Sequence, residues 1–112
     1  MDKMSAFLPD TETLQHQFEA LREQATKDAL SGLLNRVTAE QYIRKRLREM
    51  GPEDSCALFI VDMDEFKAVN DTLGHQAGDQ AIRQSARVLS GLFRANDIVG
   101  RLGGDEFLIF LS

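Results

Sequence analysis

The chain has 112 residues, 43% of them hydrophobic and 28% charged, with 13 basic against 18 acidic side chains and a net charge of −5. That fits one domain with a real core and excludes wholesale disorder, and the acidic balance argues against a DNA or RNA binder working by counterion release. No apolar run approaches the ~18 residues of a membrane span, residues 1–10 carry no secretory leader, and the lone Cys56 cannot pair internally, so a reducing cytoplasmic compartment is the expectation.

Residues 1–9 form a weakly patterned leader. Asp10 can cap a helix whose first turn holds Glu12, where negative charge suits the helix dipole. Leu14, Phe18, Leu21 and Ala25 then make a narrow apolar seam. It suits pairing with another helix or packing on its own domain, and its two heptads do not decide between them. Lys27 to Arg36 is a break with Ser31-Gly32 and Asn35 as turn formers. Thr38 can cap a second helix, with Gln41 as its capping-box partner. Ala39, Ile43, Leu47 and Met50 line one face of that helix, and Arg44, Lys45, Arg46 and Arg48 read as a solvated face. Gly51-Pro52 ends it.

Cys56 to Val61 is a continuous apolar run of strand length, expected to be a central strand covered on both faces. It stops abruptly at Asp62-Met63-Asp64. Val69 to Gly78 reads as loop, and Asp79 can start a third helix burying Ile82, Ser85, Ala86, Leu89 and Phe93. Residues 97–102 and 107–111 read as two strands joined through Gly103-Gly104, which can take the positive φ of a hairpin turn. The order is helix, helix, strand, helix, strand, strand, an α+β layer of helices on a sheet.

Two acidic clusters carry the chemistry: Asp62 and Asp64 at the end of the apolar strand, Asp105 and Glu106 at the hairpin. Carboxylates that meet repel one another unless a cation lies between them. Hard oxygen ligands with open positions suit Mg²⁺ that also holds substrate phosphates, and such sites serve in-line attack at phosphorus. Exposed strand-end acids with no such role are the competing explanation. An EF-hand reading of Asp62-x-Asp64 fails, because its sixth position is Lys67 and its twelfth Leu73.

Three ordered blocks resemble one family, the GGDEF-type diguanylate cyclases. They are Asp28-Ala29-Leu30-Ser31-Gly32-Leu33-Leu34-Asn35-Arg36, then Asp62 to Lys67 with Asn70 to His75 and Gly78-Asp79, then Arg101-Leu102-Gly103-Gly104-Asp105-Glu106-Phe107. The resemblance implies a nucleotide-cyclase, palm-like sheet with flanking helices and a catalytic hairpin. It divides the chain into a linking helix over 1–27 and a domain over 28–112, with the family's pattern continuing past Ser112. It implies condensation of two GTP to cyclic di-GMP and pyrophosphate across a homodimer with Mg²⁺, or Mn²⁺ in its place. It assigns metal binding to Asp62, Asp105 and the Met63 carbonyl, and hydroxyl activation to Asp105 or Glu106. Lys67 would lie near the phosphates. Asn70 and Asp79 would read guanine, whose pairing edge offers one acceptor and two donors. Glu65, Phe66, Gly103 and Gly104 would line the substrate. Arg94 and Asp97 match the RxxD product-inhibition site, where an arginine fork grips guanine or phosphate. His75 matches the family block in a structural role. An upstream sensor domain or a separate sensor protein is the implied regulator. The competing function is a catalytically silent module that binds GTP or cyclic di-GMP; the two differ in turnover, not in binding.

Overall fold

The computed structural model describes residues 10–112, with side chains left aside at 23 and 24. The leader over 1–9 lies outside the described residues. The elements run α1 (Thr11–Thr26), α2 (Arg36–Glu49), β1 (Ala57–Asp62), α3 (Phe66–Leu73), α4 (His75–Leu92), β2 (Ile98–Gly103) and β3 (Glu106–Leu111). The α+β expectation holds, with one more helix than the sequence pattern suggests.

Asp10 caps α1 as expected, its Oδ1 accepting the Thr13 N–H at 2.7 Å. Among the described residues, nothing covers the seam of this helix. Leu14, Phe18 and Leu21 are 51, 62 and 63% exposed, so the seam does not pack on its own domain. The helix is instead tied down at its C-terminus. The Asn35 N–H donates to the Thr26 carbonyl at 2.9 Å, and Asn35 Nδ2 donates to the Ala25 carbonyl at 2.8 Å.

The second helix begins earlier than Thr38. Asn35 is its cap, accepting the Thr38 N–H on Oδ1 at 2.9 Å. Thr38 lies inside the helix and is buried. Ala39 is fully buried and Ile43 packs against the core, whereas Leu47 is exposed.

The sheet order is β1-β3-β2, antiparallel throughout. The central strand is therefore β3, in contrast to the expectation for the Cys56–Val61 run. Phe107, Leu108, Ile109 and Phe110 are all buried, with side chains alternating between the two faces. One face, with Ile98, Leu108 and Phe110, packs on Ala39 and Ile43 of α2. The other, with Phe107, packs on Ile82, Ala86 and Leu89 of α4. Helix α2 packs on β2, and Leu58, Phe59, Ile60 and Val61 on edge strand β1 are exposed. Gly100 shows how closely α2 lies: a Cβ there would stand 2.9 Å from the Ala39 Cβ and 3.1 Å from the Leu34 carbonyl oxygen.

The expected loop over Val69 to Gly78 is mostly helix. Phe66 packs against the α4 core, which supports α3 as an amphipathic helix of about two turns, and Gly74 breaks it with φ +91°. The following helix starts at His75, so Asp79 lies within it and is not its N-cap. Its buried face is otherwise as expected, with Ile82 and Ala86 in the core and Ser85 and Leu89 half-buried.

Candidate active site and product site

The antiparallel register of β1 and β3 decides whether the two acidic clusters meet. Asp62 pairs directly with Glu106, and side chains of directly opposed residues share a face with Cβ atoms about 4.5–5.5 Å apart. One residue on, the Met63 N–H donates to the Asp105 carbonyl at 3.2 Å, extending the ladder past the strand end. Asp62, Met63, Asp105 and Glu106 thus converge at one end of the sheet, with Asp105 half-buried and Asp62 and Glu106 exposed. A groove of about 580 Å³ opens beside Asp62, walled by Met63, Ala81, Ser85, Val88 and Leu89.

The hairpin that carries Asp105 is tight. Gly103 pairs with Glu106, leaving Gly104-Asp105 as the connection, and the pairing slips by one residue between Arg101 and Gly103. Gly103 and Gly104 have φ of +149° and +49°, as expected for the diglycine, and a side chain at either would strain the turn.

The hairpin is also braced from a distance. Arg101 Nε and Nη2 donate to the Gly104 carbonyl at 3.1 and 2.8 Å, while Nη1 donates to both carboxylate oxygens of Asp28 at 3.1 Å. Burial pushes the Asp28 carboxyl up, but the Ser31 N–H and hydroxyl and the Arg101 guanidinium outweigh it and hold the carboxyl below its ordinary range. The Arg101 N–H donates to the Leu34 carbonyl at 2.9 Å, a second tie from the 28–35 turn to β2. The Asp28–Arg101 ion pair is not among the sequence expectations; an Asp in the first family-like block and an Arg in the third, neither given a role there, are its sequence signal.

The guanine-reading candidates also come together. The α3–α4 hairpin brings Asn70 against Gly78 so closely that a Cβ on Gly78 would overlap the Asn70 side chain. Asp79 follows directly. The segment joining this hairpin to Asp62 is pinned by Met63 and Phe66, both packed on the cluster of Ile82 and Phe107. Glu65, at the turn into α3, is the one described non-glycine residue with positive φ, at +57°. Such a conformation costs about 1–3 kcal/mol, and the cost falls at the mouth of the site. Lys67 is exposed beside it.

Arg94 and Asp97 do not join this cluster. They precede β2, at the far end of a strand about 17 Å long. There Arg94 to Asp97 forms a closed turn. The Asp97 N–H donates to the Arg94 carbonyl at 3.0 Å, and Asp97 Oδ2 accepts the Arg94 N–H at 2.8 Å. A pocket of about 460 Å³ lies against it, with Lys27, Tyr42 and Arg46 on its walls.

Among the described residues, no group of three or more His, Cys, Asp or Glu side chains is arranged to hold a metal. The strand end gathers the carboxylates of Asp62, Asp105 and Glu106 and the Met63 main chain, all hard oxygens, a donor type that suits a cation shared with substrate phosphates and not an all-protein cage.

Residues 25–112 match the family model described as diguanylate cyclase, GGDEF domain. The chain is similar to a probable diguanylate cyclase, DgcE, of Escherichia coli strain K12, at 37% identity over 105 residues, covering 93% of this chain and 10% of that protein. It is similar to the diguanylate cyclase TpbB of Pseudomonas aeruginosa strain UCBPP-PA14, at 39% identity over 100 residues, covering 88% and 23%. It superposes on the crystal structure of the coiled coil and GGDEF domain of DgcB from Caulobacter crescentus in complex with c-di-GMP. That match has a TM-score of 0.80 and 34% identity, covering 89% of this chain and 53% of the other. The chain thus spans a quarter or less of these two curated relatives and about half of the solved one.

Proposed function

This chain belongs to the diguanylate cyclase GGDEF domain family, and from that premise we propose that it is the N-terminal portion of a domain that condenses two GTP into cyclic di-GMP and pyrophosphate. Each of two subunits holds one GTP, and each 3′-hydroxyl attacks the α-phosphorus of the facing nucleotide. The observation that carries this reading is the β1–β3 register, which sets Asp62 opposite Glu106 and Met63 against Asp105.

Asp62, Asp105 and the Met63 carbonyl would hold Mg²⁺, or Mn²⁺ in its place, and the ion when bound neutralises phosphate charge and lowers the pKa of the attacking hydroxyl. Asp105 or Glu106 takes the hydroxyl proton. Lys67 lies by the phosphates, while Glu65, Phe66, Gly103 and Gly104 line the nucleotide, the glycines allowing close backbone approach. Asp79 accepts from the two donors of guanine and Asn70 donates to its acceptor; adenine would leave the carboxylate unpaired. Arg94 and Asp97 bind the product, cyclic di-GMP, away from the catalytic end.

The exposed seam of α1 supports homodimerisation through that helix, and an upstream sensor or a separate sensor protein would act through it, with 1–27 as linker and 28–112 as domain. Among the described residues, no helix is long and apolar enough to cross a membrane. The proposed setting is the cytoplasm, where the exposed free thiol of Cys56 stays reduced.

The test is turnover by the whole protein with GTP and Mg²⁺. Asp62→Asn and Asp105→Asn should each lower cyclic di-GMP formation by at least about 100-fold, several kcal/mol of transition-state stabilisation. Undiminished synthesis by Asp105→Asn would refute the assignment. Tight GTP binding without turnover in the unsubstituted protein would place it with the silent modules.

A further inference from the structure

The turn that carries Arg94 and Asp97 is held from outside by a residue of another element. Arg46, half-buried on α2, donates from Nη1 to the Asn96 carbonyl at 2.8 Å and to the Ser112 hydroxyl at 2.7 Å. Asn96 is the exposed residue just before Asp97, within the loop that the Arg94–Asp97 bonds close. A short exposed turn with two internal hydrogen bonds opens readily on its own. An arginine fixed on a packed helix restrains the peptide between its two functional side chains. Its charge makes the bond to the Asn96 carbonyl stronger than a neutral one. The Ser112 contact ties the same guanidinium to the end of β3, so turn, helix and sheet meet at Arg46. Arg46 also lines the pocket that Arg94 and Asp97 share.

We propose that Arg46 is a positioning residue for the product site, holding the Arg94–Asp97 turn in its ligand-ready shape and adding positive potential where a phosphate would sit. This rests on the reading of Arg94 and Asp97 as the cyclic di-GMP site, and the experiment separates the two.

Amide hydrogen exchange and cyclic di-GMP calorimetry would be measured on the full chain for the unsubstituted protein and for Arg46→Ala, Arg46→Lys and Arg94→Ala. In Arg46→Ala, the Arg94 and Asp97 amides should exchange about tenfold faster while those of β3 stay unchanged, which controls for global unfolding. Cyclic di-GMP affinity should fall about 5–30-fold, and Arg46→Lys should recover part of both effects, since lysine keeps the charge and one donor at a time. Unchanged exchange in the turn overturns the proposal. So does faster exchange with unaltered affinity when Arg94→Ala abolishes binding. If neither the unsubstituted protein nor Arg94→Ala binds, the product-site reading itself is overturned, and the turn's exchange rate alone then decides whether Arg46 anchors it.

Discussion

Removing the Arg101 guanidinium should loosen the hairpin of β2 and β3. The side chains of Arg101 and Asp28 are 14% and 22% exposed, so their ion pair lies between the solvent-screened and the fully buried case. Exposed pairs contribute about 0–1 kcal/mol, and breaking a buried one costs about 3–5. Arg101→Ala also removes two donors from the Gly104 carbonyl, while Asp28 keeps the Ser31 N–H at 2.8 Å. The expected loss is about 2–3 kcal/mol, a fall in Tm of roughly 10–20 °C for a domain of this size. Arg101→Lys, which keeps charge but not the fork, should lose about half of that.

Thermal unfolding followed by circular dichroism as a function of pH checks the cause. The folded-state pKa of Asp28 lies below the ordinary carboxylate value. A depressed carboxylate pKa contributes stability that is fully present above the unfolded pKa and is lost as pH falls through the folded one. The gap between the unsubstituted protein and Arg101→Ala should therefore be constant from pH 7 to pH 5 and narrow below about pH 4. It should not close, since the Gly104 bonds do not titrate. A Tm within about 2 °C of the parent at pH 7, or a gap that widens in acid, would refute the brace.

Gly78→Ala separates stability from recognition. The added methyl forces the Asn70 side chain out of its place, yet alanine gains about 1 kcal/mol of helix propensity over glycine. Stability by urea unfolding should change by less than about 1 kcal/mol, while GTP affinity by calorimetry should drop about tenfold or more; equal affinity would remove Asn70 from the guanine contacts. Asn35→Ala strips the cap from α2 and the Ala25 bond from α1 together. It should cost about 1–2 kcal/mol in urea unfolding, and faster amide exchange should spread through the last turn of α1, whereas confinement to α2 would show that the two helices are not joined there.

Much of the site was readable in the amino-acid order because its signals are local. The apolar run that breaks at Asp62, the diglycine before Asp105 and Glu106, and the capping Asp10 each lie within a few residues, where backbone preference and hydropathy act. Helix α3 is not evident in the sequence because the Asn70-Asp71 pair and two glycines resemble a loop, whereas in the fold the half-buried Phe66 at its start packs against the Ile82 and Ala86 cluster. The identity of the central strand was decided by tertiary structure alone. An apolar run states that its side chains avoid water, not which neighbour covers them, and β3 took the centre because helices pack on both of its faces. The same holds for Asp28 with Arg101, 73 positions apart, and Arg46 with Asn96, 50 apart. No periodicity links residues at such separations; they meet only once the sheet register and the helix placement have been set.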